Sequence, residues 1–129
     1  MNETTNDQPP ANSVRLRGRV STAPEERELP SGARILTLRV SVPREPSPMT
    51  QGSKQQSDWV DCSVWGARVR RTVGRWQSGD IVEVEGALRR RFYRGGDATS
   101  TRLEVEMLSG RLVARAEAAS RREKTGVTG

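Results

Sequence analysis

Histidine is absent from this chain of 129 residues, and cysteine occurs once, as Cys62. Without histidine the chain lacks the side chain that most often acts as general base at neutral pH and most often ligates metals. A single cysteine excludes an internal disulfide and leaves no Cys-His set for zinc or for a nucleophilic pair. That cysteine usage fits a reducing compartment, so a cytoplasmic location is expected. No apolar run is long enough to span a membrane. The opening M-N-E-T-T-N-D-Q-P-P is polar and acidic, unlike a signal peptide. There are no clustered carboxylates and no phosphate-loop glycine motif, so neither catalysis nor a metal or cofactor is expected. Aromatic residues are few: three tryptophans, one tyrosine and one phenylalanine. A core cannot be built on so few rings, so the place of each one is informative.

Arginine is abundant. It supplies 20 of the 22 basic residues, with lysine only at Lys54 and Lys124, and the net charge is +6. Arginine stacks on planar rings and forks onto phosphates, which suits nucleic acid; a genome rich in G and C produces the same bias. Residues 1–12 carry two acids and no base, residues 114–129 four bases and two acids, and residues 13–113 carry 18 bases and 12 acids. The positive charge thus belongs to the part expected to fold. The chain length favours one domain. We expect an N-terminal arm over 1–12, a folded domain over 13–113, and a basic tail over 114–129.

Alternation of apolar and polar residues marks strands. In N-S-V-R-L-R-G-R-V-S, Val14, Leu16 and Val20 share one parity and Arg15, Arg17 and Arg19 the other. Gly18 interrupts the apolar parity, where a bulge or bend is expected. Pro24 and Leu29–Gly32 read as turns. Arg34 to Val42 reads as a second strand, with Leu36, Leu38, Val40 and Val42 inward and Ile35, Thr37, Arg39 and Ser41 outward. Pro43 to Ser57 is a long loop with three prolines. From Ala67 to Trp76, Val69, Val73 and Trp76 recur at helical spacing, so a short amphipathic helix is expected, ended by Ser78-Gly79-Asp80, with Trp76 in the core and the arginines on the surface. A fourth strand runs from Ile81 to about Tyr93, with Val82, Val84, Gly86 and Leu88 inward and Ala87, Arg89, Arg91 and Tyr93 outward. After a turn at Arg94–Asp97, a fifth strand places Leu103, Val105 and Met107 inward and Arg102, Glu104 and Glu106 outward. Five strands with one short helix between the third and fourth make an all-β, five-stranded Greek-key OB barrel the expected fold. The Pro43–Ser57 and Arg94–Thr101 loops would be its arms around a ligand.

The segment D-W-V-D-C-S-V-W-G, Asp58 to Gly66, carries the functional signal. Val60, Cys62 and Val64 fall on one face of a strand; Trp59, Asp61, Ser63 and Trp65 fall on the other. Two exposed tryptophans on a rigid sheet in a basic chain form a stacking platform for nucleic-acid bases. The inverted strand, with the tryptophans in the core, would bury Asp61 beside them, a cost of several kcal/mol unless it is paired, which disfavours it. Asp61 is expected to pair across to Arg89 or Arg91. Cys62 is expected to be a buried, inert thiol.

These segments, in this order, resemble the bacterial single-stranded DNA-binding proteins. The resemblance covers about residues 12 to 113. It rests on N-x-V-x-L-x-G-R-V at Asn12–Val20, P-E-x-R at Pro24–Arg27 followed by L-P-S-G, W-V-D-C-S-V-W-G, and S-G-D-I-V-E-V-E-G-A-L-R-R-R-F-Y at Ser78–Tyr93. It implies an OB fold, sequence-tolerant binding of single-stranded DNA in replication, repair or recombination, a nucleoid-associated protein without catalysis, and a homo-oligomer, usually a tetramer, with a dimer left open. The family's stacking aromatics carry over to Trp59, Trp65 and Tyr93. Arg44 stands about where members often carry one more ring. Arg39, Arg89, Arg91 and Arg94 are the candidate phosphate ligands, with Arg15 and Arg17 either adding to them or lying on a solvated face. Members usually end in an acidic, aromatic-capped tip; this chain ends R-R-E-K-T-G-V-T-G. Recruitment of repair enzymes through such a tip is therefore not expected, and the chain resembles the short secondary paralogues. An OB protein-interaction module of primosome type is the rival reading, and RNA remains an alternative ligand.

Overall fold

The computed structural model describes residues 8–95 and 98–116, and of residues 93–95, 98 and 99 the backbone alone. The expected arm over 1–12 and tail over 114–129 lie mostly outside the described residues. Five strands, β1 (Val14–Glu28), β2 (Arg34–Pro43), β3 (Ser57–Val64), β4 (Ile81–Gly95) and β5 (Ala98–Ala114), and a helix, α1 (Ala67–Val73), follow in chain order. The strands close into a barrel in the order β1-β2-β3-β5-β4. All seams are antiparallel except β3–β5, a short parallel seam at Cys62↔Val105 and Ser63↔Glu106. This is the expected five-stranded barrel with its helix between the third and fourth strands.

The core follows the sequence alternation. Val20, Leu36, Leu38, Val40, Cys62, Val64, Val82, Val84, Val105 and Met107 fill the interior, and Val73 and Trp76 close one end. Trp76 is buried as expected, and Gly110 makes its room: a Cβ at 110 would sit 2.8 Å from Trp76 Cη2. Asp80 is also buried, with its carboxylate accepting from the Gln77 and Ala116 amides.

Several local expectations are corrected. Pro24 makes no turn; it lies inside β1, where the pairing shifts between Thr22 and Glu25. An irregularity suits proline because no ladder donor is missed. Gly18 is not the bulge, which comes later in β1. Its role is close approach, since a Cβ there would stand 2.2 Å from the Ser41 carbonyl oxygen. Next to it, Arg19 pairs with both Ser41 and Ile81, so β1 passes between two neighbours at this point. The helix stops at Val73, capped by Gly74, before the Ser78–Asp80 turn. Ile35, placed outward, is buried. Carrying the β2–β3 register one step past Leu36↔Val64 sets it across from Trp65.

The largest correction concerns the far half of the β4–β5 hairpin. Leu88 and Leu103, placed inward, are exposed, whereas Ala87 and Glu104, placed outward, are buried. Beyond Gly86, β4 pairs with β5 alone. Past the Leu88↔Val105 pair the hairpin thus runs on beyond the barrel as an arm, and its inner parity has no core to meet there. Leu88, Leu103 and Phe92 form an exposed apolar strip on it. Asn12 ties its base, accepting from the Leu88 amide and donating to the Leu88 carbonyl, both at 2.8 Å.

Candidate nucleic-acid interface

The outward face of β3 presents the tryptophans as the alternation requires. Trp59 is 59% exposed and Trp65 38%, while Cys62 and Val64 are buried behind them. The inverted strand is thereby excluded. Trp65 lies over its own strand, its indole Nε1 donating to Ser63 Oγ at 3.1 Å, and Ser63 is buried. Trp59 projects further. The Arg39 guanidinium lies over its ring, 4.1 Å from the centroid.

Asp61, between the two tryptophans, is paired, but not as expected. Arg39 Nε donates to its Oδ1 at 3.1 Å from the β2 partner position, and Arg102 Nε stands 4.0 Å from Oδ2. Arg89 and Arg91 go elsewhere: Arg89 Nε donates to Glu106 and Arg91 Nε to Glu104, each at 3.0 Å. Asp61 and Glu104 are near neighbours across the parallel seam, one step from Cys62↔Val105. Two adjacent carboxylates require cations on their flanks, and Arg39, Arg102 and Arg91 supply them. Glu104 is only 3% exposed, so its pairing with Arg91 is what makes its burial tolerable.

A cleft of about 1030 Å³ opens beside this row, between the β1–β2 hairpin and the β4–β5 arm. Its walls carry four carboxylates, Glu25, Glu28, Asp61 and Glu104, and four guanidiniums, Arg27, Arg39, Arg91 and Arg102. It is therefore close to neutral. The Cys62 thiol lies at its floor; burial pushes it up to about 12, with Asp61 and Glu104 adding to the shift. Its burial is as expected. The Pro43–Ser57 loop does not line this cleft. The β1–β2 turn at Leu29 and Pro30 stands there instead, because β1 runs straight through Pro24.

The other candidate residues are scattered. Arg44 forks onto Asp58, with Nε and Nη2 donating at 2.9 and 2.8 Å. That pair holds the Asp58 carboxyl below its usual range and raises the guanidinium. Arg15 and Arg17 lie on the β1–β4–β5 side, where both donate to Glu83, together with Arg111. The structure gathers them around that carboxylate and not with the tryptophans. Tyr93 and Arg94 lie in β4 opposite Ser100 and Thr99; their side chains fall outside the described residues. The sequence reading missed Arg102, Glu104 and Glu106 as partners of the candidate arginines. The signal was present: pairing Gly95 with Ala98 across the turn sets Arg91 across from Arg102 and Arg89 across from Glu104, each arginine one diagonal step from its carboxylate.

Comparisons with known proteins agree with this architecture. The model of the single-strand binding protein family matches residues 11–113. Single-stranded DNA-binding protein 3 of Listeria innocua is 33% identical over 86 residues, 67% of this chain and 52% of that protein. The single-stranded DNA-binding protein of Chlamydia muridarum is 31% identical over 84 residues, 65% of this chain and 50% of that one. The chain thus spans about half the length of these relatives. In structure, the Plasmodium falciparum SSB, solved in complex with ssDNA, aligns with a TM-score of 0.65 at 22% identity, covering 84% of this chain and 97% of that one. The OB barrel, the order of its motifs and the family match over 11–113 together place this chain in the single-strand binding protein family.

Proposed function

We propose that the chain binds single-stranded DNA without sequence preference, as a cytoplasmic, non-catalytic homotetramer serving replication, repair or recombination. The observation that carries this reading is Trp59, held largely exposed on a strand whose other face is core. Trp59, Trp65 and Tyr93 stack bases, each stacked base contributing about 1–3 kcal/mol. Arg39, Arg44, Arg89, Arg91 and Arg94 meet phosphates. The first four of these hold carboxylates at rest. Exposed ion pairs are worth about 0–1 kcal/mol, so a phosphate exchanges with Asp58 or Glu106 at little cost, whereas Arg91 keeps its pair with the buried Glu104. Arg15 and Arg17, bound to Glu83, are assigned a structural role.

The rival reading, an OB module that contacts proteins, draws on the exposed strip of Leu88, Leu103 and Phe92. Tryptophan emission titrated in parallel with oligo(dT), duplex DNA and RNA separates the readings. Single-stranded DNA is expected to quench strongly and duplex weakly, because duplex bases are already stacked. Equal quenching by both, or quenching by neither, overturns the stacking reading.

A further inference from the structure

The surplus positive charge of the barrel is not in the cleft. Residues 67–76 hold four arginines and no acid, whereas the rest of 13–113 holds 14 bases and 12 acids. Four of the six net charges of that domain therefore fall on α1 and the turn that follows it.

The helix sorts these residues by face. Val69, Val73 and Trp76 take the core side, with Val73 and Trp76 fully packed. Arg68 and Arg71, three residues apart within the helix, sit on one side as neighbours, and Arg75 follows them in the turn just past the Gly74 cap. All three are exposed. Among the described residues, no carboxylate or hydrogen-bond acceptor meets their guanidiniums, in contrast to the arginines of the cleft. Arg70, on another flank, keeps a buried Nε without a partner. Like charges at these spacings destabilise a helix, and no acid in its first turn relieves them. A helix that merely covered the core would be more stable with acids interleaved. The helix also begins where the second platform ring ends, since its N-cap is Gly66, next to Trp65.

We propose that the outer face of α1 is the phosphodiester track of this protein. Arg68, Arg71 and Arg75 carry the backbone of a single strand that leaves the Trp65 ring. The ion-paired arginines of the cleft add hydrogen bonds there but little net charge. This inference rests on the single-strand binding reading and assigns the phosphate contacts within it.

The test is the salt dependence of oligo(dT) binding by the full chain, read by tryptophan quenching. The wild type is compared with Arg68→Gln/Arg71→Gln/Arg75→Gln and with the matching triple lysine variant. Neutralised phosphates release counterions at about 0.7 per contact for single strands. The glutamine variant is expected to lower the slope of log K against log salt by about 2, three contacts at that value. It should keep its maximal quenching, because both rings are untouched. The lysine variant should restore most of the slope. Glutamine favours helix, so folding is expected to persist; if the triple variant melts early, Arg71→Gln alone must still lower the slope by about 0.7. An unchanged slope in a glutamine variant that folds overturns the inference, and the patch then belongs to an acidic protein surface. Absence of quenching in the wild type overturns the single-strand reading instead, so the two failures are distinguishable.

Discussion

Arg39 lies over the ring of Trp59 at 4.1 Å, and the carboxylate of Asp61 holds it there. One face of the indole is thus occupied before any ligand arrives, while the residue as a whole remains 59% exposed. Under the proposed function, a base stacks on the side of the ring that Arg39 leaves open. Arg39 backs the ring and steadies its orientation, as a guanidinium stacked on an indole does. Asp61→Asn keeps the shape and removes the charge that retains Arg39. This variant is expected to bind oligo(dT) several-fold more tightly at low salt, with a slope of log K against log salt steeper by about 0.7, one further phosphate contact. Equal affinity and slope would show that Asp61 does not restrain the cleft.

Trp59→Ala and Trp76→Ala are expected to separate binding from folding. Trp59 is exposed and Trp76 is packed against Gly110. Trp59→Ala should weaken single-strand binding and leave the melting curve nearly unmoved. Trp76→Ala should cost about 3–5 kcal/mol of stability through the space it leaves. Denaturant melts and oligo(dT) titrations of both variants check this. A stable Trp76→Ala that no longer binds would reverse the assignment.

Glu83 makes stability depend on acid. Hydrogen bonds from Arg17 and Arg15 hold its carboxyl at about 2, below its ordinary value, with Arg111 adding to the effect. A group whose pKa is depressed by folding stabilises the folded state above its unfolded value and loses that contribution as pH falls toward the folded value. Melting temperature should therefore decline between about pH 4.5 and pH 2. Glu83→Gln should be less stable at pH 7 and should flatten this decline. A decline of undiminished steepness in the variant would assign it to other carboxylates.

Gly86 admits no side chain. A Cβ there would stand 1.9 Å from the Glu106 carbonyl oxygen and 3.1 Å from Met107 Cα, both backbone. Gly86→Ala should displace β5 from β4 at the register shift between Glu85 and Gly86 and lower the melting temperature steeply. Gly66→Ala, which meets nothing within 4 Å, should leave it nearly unchanged. Similar melting temperatures for the two variants would contradict the packing described.

The alternation of the Asp58–Gly66 segment determined by itself that the tryptophans face out and Cys62 faces in, because a strand leaves only two sides and a core takes the uncharged one. The helical spacing of Val69, Val73 and Trp76 determined that Trp76 is buried, and the order of strands and helix determined the barrel. Tertiary structure decided the partners. Parity gives a side and not a neighbour, so Asp61 meets Arg39 and Arg102 across two seams, one of them a parallel crossover between β3 and β5. It also decided where alternation stops meaning burial. Leu88 and Leu103 keep the inward parity but stand on an arm that has left the barrel, and Glu104 is buried by the arginine beside it. Net charge was legible in the composition. Its distribution became physical only once the fold matched the cleft's guanidiniums to carboxylates and left those of α1 unmatched.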